Sequence, residues 1–339
     1  MATFANAGFN TVLYAAARPT YPRQLFDLIF RFHEFGSSVV SGSNTGINES
    51  GRAKYNVAVD LGCGTGQATV ELHPFKRVVG IDPSNKMVQG ARQYVSDVFG
   101  SVSTSTATLA RDHGTGQIEF LQSSAENLSF LEDGSVDLVT SAQAAHWFDW
   151  QKLWPELARI VRKDGTVAFW GYSEMRFSRY PSLTPLVHTY SKGDDPQTSL
   201  GPFWEQPGRD IIDNHLQDIP NPPSDLFTVE RIYFTGDHHP LPSPRPVILR
   251  KKMTWENFEN YLRSFSSLHT YQAQNPNDVK RQDGDIVKRF LDKVKDSMRD
   301  VDNISGANRE PGAEVALVAD LSGEVEVEWP LALVLAKRI

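Results

Sequence analysis

Val57-Ala-Val-Asp-Leu-Gly-Cys-Gly-Thr-Gly-Gln67 is the stretch on which the fold of this chain turns. Apolar residues run up to Asp60, and then three glycines alternate with small residues. The pattern predicts a buried parallel strand that ends in a tight turn, with a helix starting near Gln67. Gly62, Gly64 and Gly66 allow the backbone positive φ and close approach to a ligand. A helix N-terminus behind them would add free N–H groups. The spacing is G-x-G-x-G, whereas the dinucleotide fingerprint G-x-G-x-x-G needs glycine at 67. Gln67 stands there, so a nicotinamide dehydrogenase fits poorly.

Outward from the turn, strands and helices alternate. Val78-Val-Gly-Ile-Asp82 reads as the next strand, and its terminal acid follows Gly62 by 20 residues. That spacing suits ribose recognition, because a carboxylate there accepts from both ribose hydroxyls. Ser84 caps a helix running through Val98, with Met87 on its first turn. Ile118–Gln122, Val136–Thr140 and Thr166–Trp170 read as further strands, and Trp150–Val161 as a helix. Before the core, Pro22 opens an amphipathic helix with Leu25, Leu28, Ile29 and Phe32 on one face. The alternation predicts an α/β fold with a doubly wound parallel sheet. From 174 to 318 prolines and scattered aromatics interrupt it, which suggests a substrate cap inserted before the sheet is complete. Residues 1–35 then form an N-terminal lid, 55–173 the core and 319–339 its closing strands. Either 228–234 or 324–329 supplies strand six. The stretches 36–54 and 100–116 are low-complexity insertions.

The string Asp60-Leu-Gly-Cys-Gly-Thr-Gly-Gln67 resembles the first motif of class I S-adenosylmethionine (SAM) methyltransferases, and Arg18-Pro-Thr-Tyr-Pro22 resembles the entry segment of their methyltransferase-11 type. The resemblance implies a mostly parallel seven-stranded sheet and SAM as cofactor. It further implies that Gly62, Gly64 and Gly66 pass under the methionine part, with Asp60 near the amino group. Tyr14, Arg18 and Tyr21 would meet the SAM carboxylate. Met87 would pack on adenine, and Ser124-Ala125-Glu126 would meet the adenine edge. Pro83, Gln143 and Ala144 complete the expected cofactor set.

The acceptor side lies after strand four, in Gln143-Ala-Ala-His-Trp-Phe-Asp149. An unperturbed His146 has a pKa suited to a base for a phenol or alcohol, and equally can hydrogen-bond the acceptor. Trp147, Phe148 and Trp150 either shape the acceptor pocket or belong to the core. This string, together with Leu200-Gly-Pro-Phe-Trp-Glu-Gln-Pro-Gly-Arg209, resembles the fungal trans-aconitate and cantharidin methyltransferase group. That likeness implies O-methyl transfer to one carboxylate of a small di- or tricarboxylic acid, giving a monomethyl ester. An ionised carboxylate needs no base. Arg209, with Arg176 or Arg179, could hold a second carboxylate, and Trp170 and Trp204 could wall the pocket. Two alternatives stand beside this reading: a natural-product phenol or enol methyltransferase with His146 as base, and a SAM-binding protein that transfers no methyl.

The bulk properties narrow the partners. The 339 residues are 40% hydrophobic and 22% charged, with net charge −7. The acidic balance argues against nucleic acid. Cys63, inside the glycine turn, is the single cysteine, so neither an intramolecular disulfide nor a cysteine-rich zinc site is expected, and no metal is expected otherwise. No signal peptide or membrane span is read. The expectation is a cytoplasmic enzyme with a small-molecule acceptor.

Overall fold

The computed structural model describes residues 17–41, 53–99, 107–109, 116–307 and 323–339. These fall into two units. The first, a core unit, comprises Thr20–Ser173, Pro207–Ile248 and Pro330–Ile339. The second comprises Met1–Pro19, Glu174–Gln206 and Leu249–Trp329.

The core unit is built on β1 (Val57–Leu61), β2 (Arg77–Asp82), β3 (Ala107–Leu109), β4 (Gly116–Gln122), β5 (Val136–Ala142) and β6 (Val161–Tyr172). The second unit holds β7 (Arg176–Phe177), β9 (Leu249–Thr254) and β10 (Glu324–Trp329), whereas β8 (Phe227–Phe234) and β11 (Leu331–Arg338) return to the core. The helices are α1 (Arg23–Phe35), α2 (Asn85–Phe99), α3 (Trp150–Ile160), α4 (Thr184–Lys192), α5 (Gly208–Asp213), α6 (Trp255–Arg263), α7 (Ser266–Gln274) and α8 (Ile286–Ala307), with single turns between them.

The core sheet runs in the order β3-β4-β2-β1-β5-β6-β11-β8. Strands β4, β2, β1, β5 and β6 are parallel; β11 is antiparallel to both β6 and β8. This is the expected seven-stranded doubly wound sheet, with the three-residue β3 added at one edge. Phe227–Phe234 therefore fills the sixth position. Glu324–Trp329 lies instead between β7 and β9 in a three-stranded antiparallel sheet. The expected domain limits shift accordingly. Residues 207–248 join the core because β8 pairs along the whole of β11, and only the second of the two closing strands completes the core sheet.

Burial explains these elements. Strands β1 and β5 are buried along nearly their whole length, as central parallel strands covered on both faces are. On one face, Leu153, Trp154, Leu157 and Ile160 of α3 join Val59, Val139 and Phe169 in the main core. On the other, α1 presents Leu25, Phe26, Ile29 and Phe32, and Phe26 meets Trp170 edge-on at 5.7 Å. His33, fully buried on this helix, bonds to Lys54 O and Thr166 Oγ1. Asp164-Gly165 forms a bulge inside β6, with Asp164 at φ 63°.

One local expectation fails. The helix predicted from Gln67 is a single 3₁₀ turn, Thr69–Leu72. Pro74 has no N–H with which to extend it, and only Leu61 to Arg77 separates the two strands. The turn thus offers no long helix dipole to a ligand.

Candidate functional site

The site residues of the core unit gather at the carboxyl ends of β2, β1 and β5, where the chain leaves β1 with β2 on one side and β5 on the other. A reversal of this kind opens a crevice in a doubly wound sheet. Each acid that ends a strand there has a definite role.

Asp60 is fully buried. Its Oδ2 accepts from Thr69 Oγ1 at 2.6 Å and its Oδ1 from Thr140 Oγ1 at 2.9 Å. Asp60 therefore ties β5 and the 3₁₀ turn to the end of β1, and it is closed off from the ligand amino group that the sequence assigned to it. Burial, partly offset by the two hydroxyls and reinforced by Asp82, pushes its carboxyl up to about 6. A raised carboxyl pKa favours the folded state at low pH, and that stability is lost as pH rises through the folded value. Asp60→Asn should therefore gain on the natural protein by on the order of 3 kcal/mol between pH 4 and pH 7. His33, pushed down to about 4 chiefly by burial, acts in the opposite sense in both proteins and cancels in the difference. Denaturant melts at several pH values check this; a difference that does not change with pH would overturn it.

Asp82 is oriented by backbone. Its Oδ2 accepts from Gly64 N at 3.0 Å and its Oδ1 from Ser84 N at 2.8 Å. Burial raises its pKa and these two N–H groups oppose the rise. A carboxylate has about four lone-pair sites, so two bonds leave acceptor capacity for a diol. Asp82 also pins the glycine turn, fixing Gly64 at φ 54° with nothing within 4 Å of where a Cβ would stand. Gly62, at φ 65°, is the reverse case: a Cβ there would lie 2.4 Å from that of Ala144. Gly66 packs toward Ala91 and Phe120. The turn is thus welded on one side and open on the other, which fits SAM. Bound SAM supplies an electrophilic methyl on a positively charged sulfur. Here Gly64, Asp82, the exposed Pro83 and the buried Met87 would hold it.

After β5 the chain takes a strained step. Gln143 has φ 54°. Its Oε1 accepts from Tyr172 N at 2.7 Å, and its Nε2 donates to Tyr172 O at 3.0 Å. The amide therefore spans to the end of β6, a structural task instead of the cofactor contact expected of it. The step sets Ala144 against Gly62 and carries His146 and Trp147 into a 3₁₀ turn, their rings 4.7 Å apart. Helix α5 packs directly on them: a Cβ on Gly208 would fall 2.8 Å from Trp147 Cζ3 and 3.0 Å from His146 Cδ2. Arg209 follows, its Nε held by Asp213 at 2.9 Å. Burial, then the charge of Arg209, pushes His146 down to about 3. His146 Nδ1 is enclosed without a hydrogen bond, while the ring is partly exposed.

The remaining expected residues disperse. Tyr14 lies outside the described residues. Tyr21 sits on the edge of Trp170 at 5.4 Å and near Tyr172. Trp170 is fully buried between Tyr21 and Phe26, so it is core and walls no pocket. Trp150 likewise belongs to the core, with Phe148 packed against it. Ala125 is buried, and Glu126 Oε1 accepts from Asp149 N at 2.9 Å, which fixes the post-β4 loop to the start of α3. Arg18 and Trp204 belong to the second unit. There Arg18 donates to Ser264 O at 3.1 Å and lies over the rings of Tyr261 and Phe265. Trp204 donates to Ser191 O at 2.7 Å and meets Phe265 at 5.4 Å. Also in that unit, Arg176 is buried beside Glu328 at 3.6 Å. The sequence reading passed over Gly208, visible in the quoted Pro-Gly-Arg string, and Thr69 and Thr140, which carry no signal of their own.

Among the described residues, no group of His, Cys, Asp and Glu side chains is arranged to hold a metal ion, and no helix is long and apolar enough to cross a membrane.

With this geometry, the fold, glycine turn and strand-end acids define a SAM-dependent methyltransferase. Residues 59–169 match the family described as "Methyltransferase domain". The chain is 26% identical over 343 residues to the "Probable S-adenosylmethionine-dependent methyltransferase CRG1" of Saccharomyces cerevisiae, covering 99% of this chain and 98% of that one. The solved "Putative Type II Methyltransferase" of Anaeromyxobacter dehalogenans superimposes with a TM-score of 0.57 at 20% identity, over 95% of this chain and 97% of its own. That likeness speaks for the fold alone.

Proposed function

We propose that this enzyme transfers a methyl group to a carboxylate oxygen of a small di- or tricarboxylic acid, of the trans-aconitate kind, giving a monomethyl ester. The observation that carries the reading is the seat of α5 on the 143–147 turn, which brings the charge of Arg209 to bear on His146. A histidine pushed down to about 3 by burial and an adjacent guanidinium is neutral at physiological pH and a weak base. A phenol or alcohol would have to lose its proton to a group that hardly holds one. A carboxylate is already ionised, and Arg209 supplies the positive charge that suits it. His146 then serves as a hydrogen-bond partner through the exposed edge of its ring. The likeness of the 143–149 and 200–209 strings to the trans-aconitate group supports the same acceptor class.

The chain's own contribution is orientation. Holding the acceptor oxygen in line with the methyl group lowers the barrier by up to ~7–11 kcal/mol in well-aligned systems. The experiment incubates the purified chain with methyl-labelled SAM and two panels of acceptors, di- and tricarboxylic acids including trans-aconitate, and phenols and enols. Base-labile label in a methyl ester is the expected result. Label that appears only on phenols or enols, stable to base, would overturn the reading.

A further inference from the structure

Strain in the core unit converges on one glycine. Among the described residues, five other than glycine have positive φ, and two of them, Gln143 and Leu216, reach Gly171 with their side chains. Such backbone costs of order 1–3 kcal/mol per residue and persists only where the surroundings enforce it. A Cβ on Gly171 would stand 2.8 Å from Ile212 Cδ1, 3.4 Å from Gln143 Oε1 and 3.4 Å from Leu216 Cδ2. The Gln143 clamp and the underside of α5 therefore seat on the same spot near the end of β6. Ile212 is buried within the core, and Leu216 N closes the helix on Ile211 O at 2.9 Å. The two structures seated there are the ones that carry the acceptor-side groups: Gln143 leads into His146, and α5 begins with Gly208-Arg209.

We propose that Gly171 is a positioning residue for the acceptor. By offering no side chain, it lets the 143–147 turn and α5 dock together and so fixes Arg209 against His146. Gly171 itself touches Ile212, Leu216 and Gln143, whereas Asp82 and the glycine turn follow other strands, and the turn meets this region only where Gly62 faces Ala144. The inference rests on the reading that Arg209 and His146 face the acceptor.

The test is a rescue series in the full-length chain. Gly171→Ala pushes on Ile212 Cδ1, and Ile212→Val removes that atom. Gly171→Ala should raise the acceptor KM at least about tenfold, since displacements near 1 Å can cost that and more, with the Kd for SAM unchanged. Adding Ile212→Val should restore most of the loss. Gln143→Ala, which removes the clamp without adding volume, should give the same split between acceptor KM and SAM Kd. Histidine-ring NMR gives a readout that needs no acceptor. The titration of His146 should move upward in Gly171→Ala, as α5 withdraws Arg209 and loosens the enclosure, and should return with Ile212→Val. Acceptor KM and the His146 titration both unchanged in Gly171→Ala would mean that Ile212 merely turns aside, and would overturn the proposal. So would a loss that Ile212→Val fails to repair, or an equal loss of SAM affinity. Failure of the acid panel with a rescued NMR titration would leave this positioning role standing and sink the acceptor assignment alone.

Discussion

Gly62→Ala should unfold much of the site, whereas Gly64→Ala should silence it without unfolding it. Both positions have left-handed backbone, at φ 65° and 54°, and placing alanine there costs roughly 1–2 kcal/mol. They differ in what the new methyl meets. At 62 it lies 2.4 Å from the Ala144 Cβ, a stiff neighbour attached directly to the backbone of the Gln143 step. Relieving that overlap must part β1 from the post-β5 turn, adding about 1–3 kcal/mol. A total loss of about 2–5 kcal/mol is expected in chemical denaturation, with SAM binding abolished in calorimetry. At 64 the methyl meets nothing, so stability should fall by only about 1–2 kcal/mol. Yet it occupies the open side of the turn, and SAM affinity should fall by at least about tenfold, or 1.4 kcal/mol. Wild-type SAM binding in Gly64→Ala would show that the open side of the turn is not where the cofactor lies.

This contrast also shows what the sequence could express. Three glycines ahead of a second strand-end acid announce a tight ligand turn, because positive φ and close approach demand that residue type. The positions of most strands were equally legible, since buried parallel strands are written as short, mainly apolar segments between turn signals. The division of labour between Asp60 and Asp82 was not. Both are acids at strand ends, and only the hydroxyls of Thr69 and Thr140, neither of which has a distinctive signature, decide that Asp60 is structural. The same holds for Gln143, whose amide is consumed by Tyr172, 29 residues away. Trp170 looked like a pocket wall because aromatic residues serve cores and pockets alike; its neighbours Tyr21 and Phe26 come from a segment well over a hundred residues earlier. Strand six was ambiguous for a related reason. Phe227–Phe234 and Glu324–Trp329 both carry strand-forming residues, and long-range pairing decides between them: Leu331–Arg338 pairs with Phe227–Phe234, and Glu324–Trp329 pairs with Leu249–Thr254.

Arg209→Gln should produce the largest functional loss on the acceptor side while leaving the cofactor in place. The guanidinium is oriented by Asp213 at 2.9 Å and sits one residue from the glycine that packs on His146 and Trp147. Hydrogen bonds to charged groups contribute about 1.5–3 kcal/mol, so the acceptor KM for a diacid should rise by about ten- to a hundredfold, with little change in SAM Kd. The pH profile separates this from a base mechanism. His146, pushed down to about 3, stays neutral from mildly acid to alkaline pH, and acceptor carboxyls ionise near pH 4. The rate at low substrate should therefore climb only below about pH 6 and then stay level, without the inflection near 6.5 that an ordinary histidine base would impose. In Arg209→Gln the charge that helps hold His146 neutral is gone, and its titration should move upward while burial still keeps it below the ordinary histidine value. His146→Gln should keep activity to within about tenfold, since a glutamine amide replaces one hydrogen bond and no base is lost. Loss of several orders of magnitude in His146→Gln, with a wild-type inflection near neutrality, would instead make His146 the base and the acceptor a protonated oxygen.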